Sequence, residues 1–325
     1  MAAPIRNAFN RGDKFITVFL KLKSVHPNSF SISAYAYKER RITTRKFDSF
    51  HYCLETVRKY DHENYLCTLL LPRHVRSEAF VIRAFNAEVS QVREVVSTTA
   101  IGQMRMQFWT DALGKTFAGN PPDQPVTKEL AKVLQRHKLS KAWFQRLISS
   151  REALLNDKPF LSIKELEEYS NMAVVPVYLL ILQTLGITSV HCDHVASHIG
   201  IAQGICNILR GIPYNASKGR VFLPLELMSK HRLSQEGLLH GDQKKNLQDA
   251  VYDLSCVAHQ HLQMGRKLHK DVPVEVKPVF LPAVAIAAYL EGLEKTNFDV
   301  FQPRNQRRNN LLPLVLWMYK FRKMY

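Results

Sequence analysis

Acidic residues are scarce in this chain: 28 Asp and Glu face 45 Lys and Arg, a formal net charge of +17 over 325 residues. That balance favours anionic partners such as nucleic acid, acidic lipid or phosphorylated ligands. It is also common in the mitochondrial matrix, so charge alone does not choose among them. No recognised nucleic-acid motif accompanies it, and nucleic acid is not expected as a partner. Cys53, Cys67, Cys192, Cys206 and Cys256 are scattered, with no CxxC and no paired spacing. This excludes a zinc ribbon or disulfide framework and fits buried thiols in a reducing compartment. Long apolar runs are missing too. Met172–Ile187 contains Pro176 and falls short of the roughly 20 residues a membrane span needs, and Leu311–Met318 is shorter still. Extended strand-like alternation, internal repeats and domain linkers are likewise absent.

What remains is helical. Hydrophobic residues make up 46% of the chain, enough for a sizeable core. Ile82, Phe85, Val89, Val92 and Val96 form a stripe at helical spacing, and Ser77 is the expected N-cap of a helix over Glu78–Val96. The pattern predicts further helices over 49–60, 101–117, 126–137, 140–156, 163–185, 193–210, 224–231, 243–270, 276–294 and 309–322. Proline, glycine or asparagine marks the breaks, including Asn120-Pro121-Pro122, Asp157-Lys158-Pro159, Gly186, Gly211–Gly219 and Pro273. The expectation is one all-α domain over 48–325.

Residues 1–34 hold a single acid, Asp13, against Arg6, Arg11, Lys14, Lys21 and Lys23, with Ser24, Ser29, Ser31 and Ser33 following. Phe15, Val18, Phe19 and Leu22 share one helical face. A basic, amphipathic, serine-bearing and acid-poor start is the signature of a mitochondrial transit peptide; a disordered basic arm is the alternative. Residues 1–47 are therefore expected to stand apart from the fold, with cleavage between Ser31 and Phe47.

Two segments point towards chemistry. The first is Ala84-Phe85 leading through Ser90, Gln91 and Glu94. The second is Asn207-Ile208-Leu209-Arg210-Gly211-Ile212-Pro213-Tyr214-Asn215, followed by Lys218-Gly219-Arg220-Val221-Phe222-Leu223-Pro224. The second reads as a helix end, a basic glycine-bearing turn and a proline-started helix. Together they resemble the signatures of the squalene/phytoene synthase family, A-F-x-R before D-D-x-V-D and N-I-L-R-D-V-x-x-D before R-G-R-x-Y-L-P. Trp109, Glu165-Leu166-Glu167-Glu168-Tyr169, Gly200 and Ala202 fit the same pattern. The glycines that usually follow the tyrosine are replaced by the bulkier Ala173–Val177. The glutamine expected at Gly204 is missing, with Gln203 one residue away.

The resemblance implies an isoprenoid-synthase helical bundle. In that family the aspartates hold magnesium against prenyl diphosphates. Acids at i and i+4 share one helix face, and two such helices clamp the ions. Magnesium requires hard oxygen ligands, mainly carboxylates and phosphate oxygens. Here Ser90, Gln91 and Glu94 occupy the first set of positions and Gly211 and Asn215 the second, so one carboxylate survives. Losing one electrostatic stabiliser commonly costs about 100- to 1000-fold in rate. No catalytic residue, metal or cofactor is expected, and the chain reads as a pseudoenzyme. Arg210, Lys218 and Arg220 stand where the family handles diphosphate and are candidate anion-binding residues; surface or helix-end charge is the alternative.

A narrower resemblance lies in Ala84–Glu94, Met104–Trp109 and Leu311-Leu312-Pro313-Leu314. These segments are similar to a branch of the family that serves assembly of mitochondrial respiratory complex I. That likeness implies a protein on the matrix side of the inner membrane, acting early through biogenesis of a mitochondrially encoded membrane subunit. Its implied partners are complex I subunits or other assembly factors, with peripheral contact to inner-membrane lipid. A prenyl-diphosphate transferase with altered metal dependence is the alternative, and a basic lipid-surface or nucleic-acid binder is a third reading.

Other motifs carry less. Gly114-Lys115-Thr116 lacks the upstream glycine of a P-loop and lies in a helical pattern. His191, Cys192, Asp193, His194 and His198 need His259 or His261 to complete a zinc set, and a polar helix start is the simpler reading. Phe108-Trp109 and Trp143-Phe144 are expected in the core.

Overall fold

The computed structural model describes residues 48–325, in which helix follows helix with short connections. The expected transit peptide and its cleavage point lie outside the described residues. The helices are α1 (Ser49–Tyr60), α2 (His62–Leu69), α3 (Arg73–Val95), α4 (Thr99–Phe117), α5 (Pro125–Arg136), α6 (Lys141–Glu152), α7 (Ile163–Ala173) and α8 (Val175–Thr184). They continue with α9 (Val190–Ser217), α10 (Leu225–Lys230), α11 (Gln235–His240), α12 (Lys244–Lys267), α13 (Pro282–Lys295), α14 (Pro303–Gln306) and α15 (Leu312–Phe321). No strand occurs among the described residues.

Two long helices organise the bundle. On one side α3 packs against α1, α5 and α8; on the other α9 packs against α7, α8, α12 and α13. The stripe read from the sequence is the buried face of α3, with Ile82, Phe85, Val89 and Val92 in the core. Phe85 lies edge-on to Trp109 at 5.4 Å and to Phe144 at 5.1 Å, joining α3, α4 and α6. Trp109 and Phe144 are therefore core residues. Phe108 is not: one residue earlier on α4 it turns to solvent and is exposed, its ring edge-on to Trp109 at 5.7 Å.

Several boundaries differ from expectation, the helix expected over 140–156 ending at Glu152 and that over 276–294 starting at Pro282 among them, and three bear on the site. Ser77 is not a cap: α3 begins at Arg73 after the extended Pro72, and the Ser77 hydroxyl donates to the Glu78 carboxylate at 2.8 Å. Val75 is already buried, so packing draws the first turn upstream. The segment 163–185 divides at Val174, whose backbone is non-helical, and α8 restarts with Pro176 in its first turn, where the missing N–H costs little. Most important, α9 does not stop at Arg210 but runs two turns further, through Gly211 and Pro213 to Ser217. Leu209 and Ile212 are buried, and tertiary packing outweighs the poor helix propensities. The turn comes at Gly219, with φ +71°.

Close approach explains two glycines of α9. A Cβ at Gly200 would stand 2.6 Å from Val175 Cγ2, and one at Gly204 would stand 2.4 Å from Ser170 Cβ. The bulk at Ser170 and Val175 is thus matched by missing side chains on α9. Neighbouring Gln203 accepts a hydrogen bond from Tyr178 Oη at 2.5 Å. Gly204→Ala should lower stability by about 1–3 kcal/mol through overpacking. Gly114→Ala, where the nearest atom is Lys141 Nζ at 3.9 Å, should be neutral or raise it by up to about 1 kcal/mol. Thermal melts of the two variants check both outcomes.

Candidate functional site

The last turns of α3 and α9 face each other, and of the positions singled out in the two motifs Glu94 and Arg220 meet. The contact between them is a charge network. Arg220, just beyond the Gly219 turn, donates through Nη1 to Glu94 Oε1 at 2.7 Å, and Tyr214 donates its hydroxyl to Glu94 Oε2. Arg220 Nε also lies 3.5 Å from Asp157 Oδ2. Arg93 grips Asp157 with two nitrogens, Nε at 2.8 Å and Nη2. Two cations and two anions therefore alternate, Arg93–Asp157–Arg220–Glu94, and their charges cancel. Arg220 is the most enclosed, its side chain 12% exposed against 26% for Glu94.

Each partner depends on its local fold. Glu94 is in the final turn of α3, one residue from its end. Tyr214 is available because α9 continues past Arg210. Asp157 follows α6 with φ +54°, a left-handed conformation that aspartate tolerates better than most residues. The carboxylates hold the opposite protons in place: the hydrogen bond to Glu94 raises the Tyr214 hydroxyl above its usual value, and pairing with Asp157 does the same for Arg93.

The remaining positions offer little. Ser90 is half-buried and donates to the Ala87 carbonyl of its own helix at 2.8 Å. Gln91 is half-buried on the same turn. Gly211 has no side chain, and the Asn215 amide nitrogen stands 3.0 Å from where its Cβ would be. The Asn215 carbonyl accepts from the backbone nitrogens of Lys218 and Arg220, both at 2.9 Å, closing the turn. Beside it, Ile208, Ile212, Arg220, Val221 and Leu238 line a recess with room for about one water molecule.

Magnesium does not fit this donor set. Both Glu94 oxygens accept from cationic or hydroxyl donors, Ser90 is committed to its helix, Gly211 supplies nothing and Asn215 supplies at most a neutral amide.

The three candidate anion-binding residues do not converge. Arg220 is in the network and Lys218 is exposed at the end of α9. Arg210 turns the other way, donating to Glu63 Oε2 at 2.8 Å with its guanidinium 4.5 Å above the Tyr289 ring. Arg93, Tyr214 and Asp157 are the residues that motif reading passes over. Asp157 registers in the sequence only as part of a loop before Pro159.

The histidines form a different arrangement. His198 Nδ1 meets His261 Nδ1 at 3.1 Å, and His261 Nε2 lies 3.0 Å from Glu167 Oε1. Among the described residues no group of three or more His, Cys, Asp or Glu is placed to hold a metal ion. Burial, then the neighbouring His261 and His194, depresses the His198 value below the ordinary 6.5. The cysteines are those of a packed interior: burial lifts Cys53 and Cys206 to about 12.

Comparison with known proteins matches this scaffold. The Squalene/phytoene synthase family model aligns with residues 57–311. A Homo sapiens protein named NADH dehydrogenase (ubiquinone) complex I, assembly factor 6 is 46% identical over 275 residues, 85% of this chain and 83% of its own. The protein of the same name from Bos taurus is 47% identical over 274 residues, covering 84% and 82%. A dehydrosqualene synthase crystal structure superposes with TM-score 0.72 at 18% identity, covering 84% of this chain and 95% of that one. At that identity it establishes the shared isoprenoid-synthase fold.

A double-mutant cycle with Glu94→Gln and Arg220→Met should give a coupling energy of about 1 kcal/mol, as expected for partly exposed pairs. Urea unfolding of the four proteins measures it. For His198, the unfolded chain binds more protons than the folded one below about pH 6.5. Stability should therefore fall as pH drops through that value towards the depressed folded one. His198→Gln should flatten this part of the profile in melts taken across the same range.

Proposed function

The chain belongs to the squalene/phytoene synthase family, and from that membership we propose that it is a non-catalytic member serving assembly of mitochondrial respiratory complex I. The observation that carries the non-catalytic part is the engagement of Glu94. It is the one carboxylate left at the metal positions, and Arg220 and Tyr214 occupy both its oxygens. Diphosphate ionisation needs several such groups free and facing one another. Residues 90, 91, 94, 211 and 215 are read as metal positions that no longer bind metal. Arg220 then acts as a structural counter-ion, whereas the family handles diphosphate with a cation there.

The assembly role is supported by relatives that share nearly half of their residues with this chain across most of its length and carry that name. The basic, acid-poor start of the chain agrees with import into mitochondria. The reading places the protein on the matrix side of the inner membrane, early in assembly, at the biogenesis of a mitochondrially encoded membrane subunit. Complex I subunits or other assembly factors are its partners.

Two measurements test the two halves of this reading. Purified protein with farnesyl or geranylgeranyl diphosphate and Mg²⁺ or Mn²⁺ should release no pyrophosphate. Metal-dependent release would establish an altered prenyl-transfer enzyme instead. In cells lacking complex I assembly activity of this kind, the Ser90→Ala/Glu94→Gln chain should restore complex I to the wild-type level. A folded variant that restores none would point back to chemistry at Glu94.

A further inference from the structure

Helix α15 has one face in the core and the other in solvent. Leu312 and Leu316 are buried against Cys67, Leu281, Val284 and Ala285, with Val315 and Tyr319 packed alongside. The opposite face carries Leu314, Trp317 and Phe321, which are 48%, 56% and 76% exposed. Spacings of three and four residues put them on one stripe. Trp317 and Phe321 stack on each other at 5.8 Å, so the aromatic pair projects as a unit.

This face cannot roll inward. Tyr325 beyond the helix is buried, its ring 5.3 Å from Phe280 and 5.2 Å from His269. His269 Nε2 meets the Lys323 carbonyl at 2.9 Å. With Leu312 and Leu316 in the core at one end and Tyr325 inserted at the other, the apolar stripe is held outward.

Charge along the segment that carries the stripe is of one sign. Residues 300–325 contain Arg304, Arg307, Arg308, Lys320, Arg322 and Lys323 and not one Asp or Glu. Three cations precede the helix and three close it, and all six are exposed. A ten-residue helix is about 15 Å long, half the hydrocarbon thickness of a bilayer. Among the described residues no helix is long and apolar enough to cross a membrane. A short helix with an aromatic, apolar outer face between clusters of cations matches the layered chemistry of a membrane surface, acyl chains under anionic headgroups.

We propose that the outer face of α15 is a lipid-docking surface: Leu314, Trp317 and Phe321 enter the interface of an anionic bilayer and the six flanking cations meet its phosphates. This deepens the assembly reading, and rests on it only for identifying the bilayer as the inner mitochondrial membrane.

The test uses the full chain and vesicles of phosphatidylcholine with or without phosphatidylglycerol, with brominated acyl chains as quencher. Trp109 is buried and Trp143 half-buried, so Trp317 is the indole placed to report. Its emission should shift to the blue and be quenched in anionic vesicles, and Trp317→Phe should abolish the quenching while the protein still sediments with them. Arg307→Gln/Arg308→Gln/Lys320→Gln should weaken vesicle binding at least about tenfold, since each cation near an anionic surface is worth roughly fivefold. Leu314→Ser/Phe321→Ser should weaken it comparably with an unchanged melting temperature, because both side chains are already in solvent.

Sedimentation with vesicles without quenching of Trp317 would overturn the proposal and assign binding to another surface, such as the basic residues 1–34. Full vesicle affinity in Leu314→Ser/Phe321→Ser, together with lost complex I, would overturn it in favour of a protein groove. The two readings fail separately: if Trp317 enters vesicles but the wild-type chain restores no complex I, the assembly role falls and lipid docking stands.

Discussion

The bundle depends on how closely α9 can lie against α7 and α8. Gly200 and Gly204 sit one turn apart on that helix, and Val175 and Ser170 occupy the space their side chains would fill. The contact fixes the height and rotation of a 28-residue helix. Everything C-terminal on α9 inherits that placement, including the turn that carries Tyr214 and the one that returns Arg220 towards α3. A shift of a few tenths of an ångström at Gly204 would be felt at Glu94, because packed helices move as rigid bodies.

The family's scaffold brings two helix ends together to concentrate negative charge on metal ions. In this chain the same convergence is neutralised from within. Arg220 and Arg93 supply the positive charge that ions would otherwise bring, and Asp157 joins them to make a four-membered alternation. Removing aspartates from facing helices relieves repulsion, and the surviving Glu94 is stabilised by a protein cation. Where a synthase must keep its acids unpaired and its site open, this chain gains a closed contact between α3 and α9.

The helical class and the main α3 stripe were legible because Ile82, Phe85, Val89 and Val92 repeat at the period of a helix. The two motifs named Glu94 and Arg220 among the candidates, and only a fold places these two side by side. Boundaries were less legible. Gly211 and Pro213 are local signals for a stop, yet buried Leu209 and Ile212 carry α9 past them, and a sequence window does not weigh tertiary burial. Ser77 looked like a cap for the same reason: capping chemistry is local, while the upstream Val75 is buried by distant residues. Phe108 and Trp109 are adjacent and aromatic, but a 100° step on a helix sends one to solvent and the other to the core. Short α2, α11 and α14 span too few turns to establish a period. Asp157 gave no sign of its role, because its importance comes from Arg93 and Arg220, both more than 60 residues away.

The Arg220–Glu94–Tyr214 contact also sets a direction to change. An aspartate returned to position 211 alone would find Glu94 already taken and the Asn215 amide against its Cβ. It would add an unbalanced negative charge without completing a metal shell. Freeing Glu94 first, by losing Arg220, would leave Asp157 and Glu94 with one fewer counter-ion. Either single step leaves a charge without its counter-ion where the ends of α3 and α9 close on each other. The closed contact therefore works as a latch: a change at any one of its four charged members has to be matched at another.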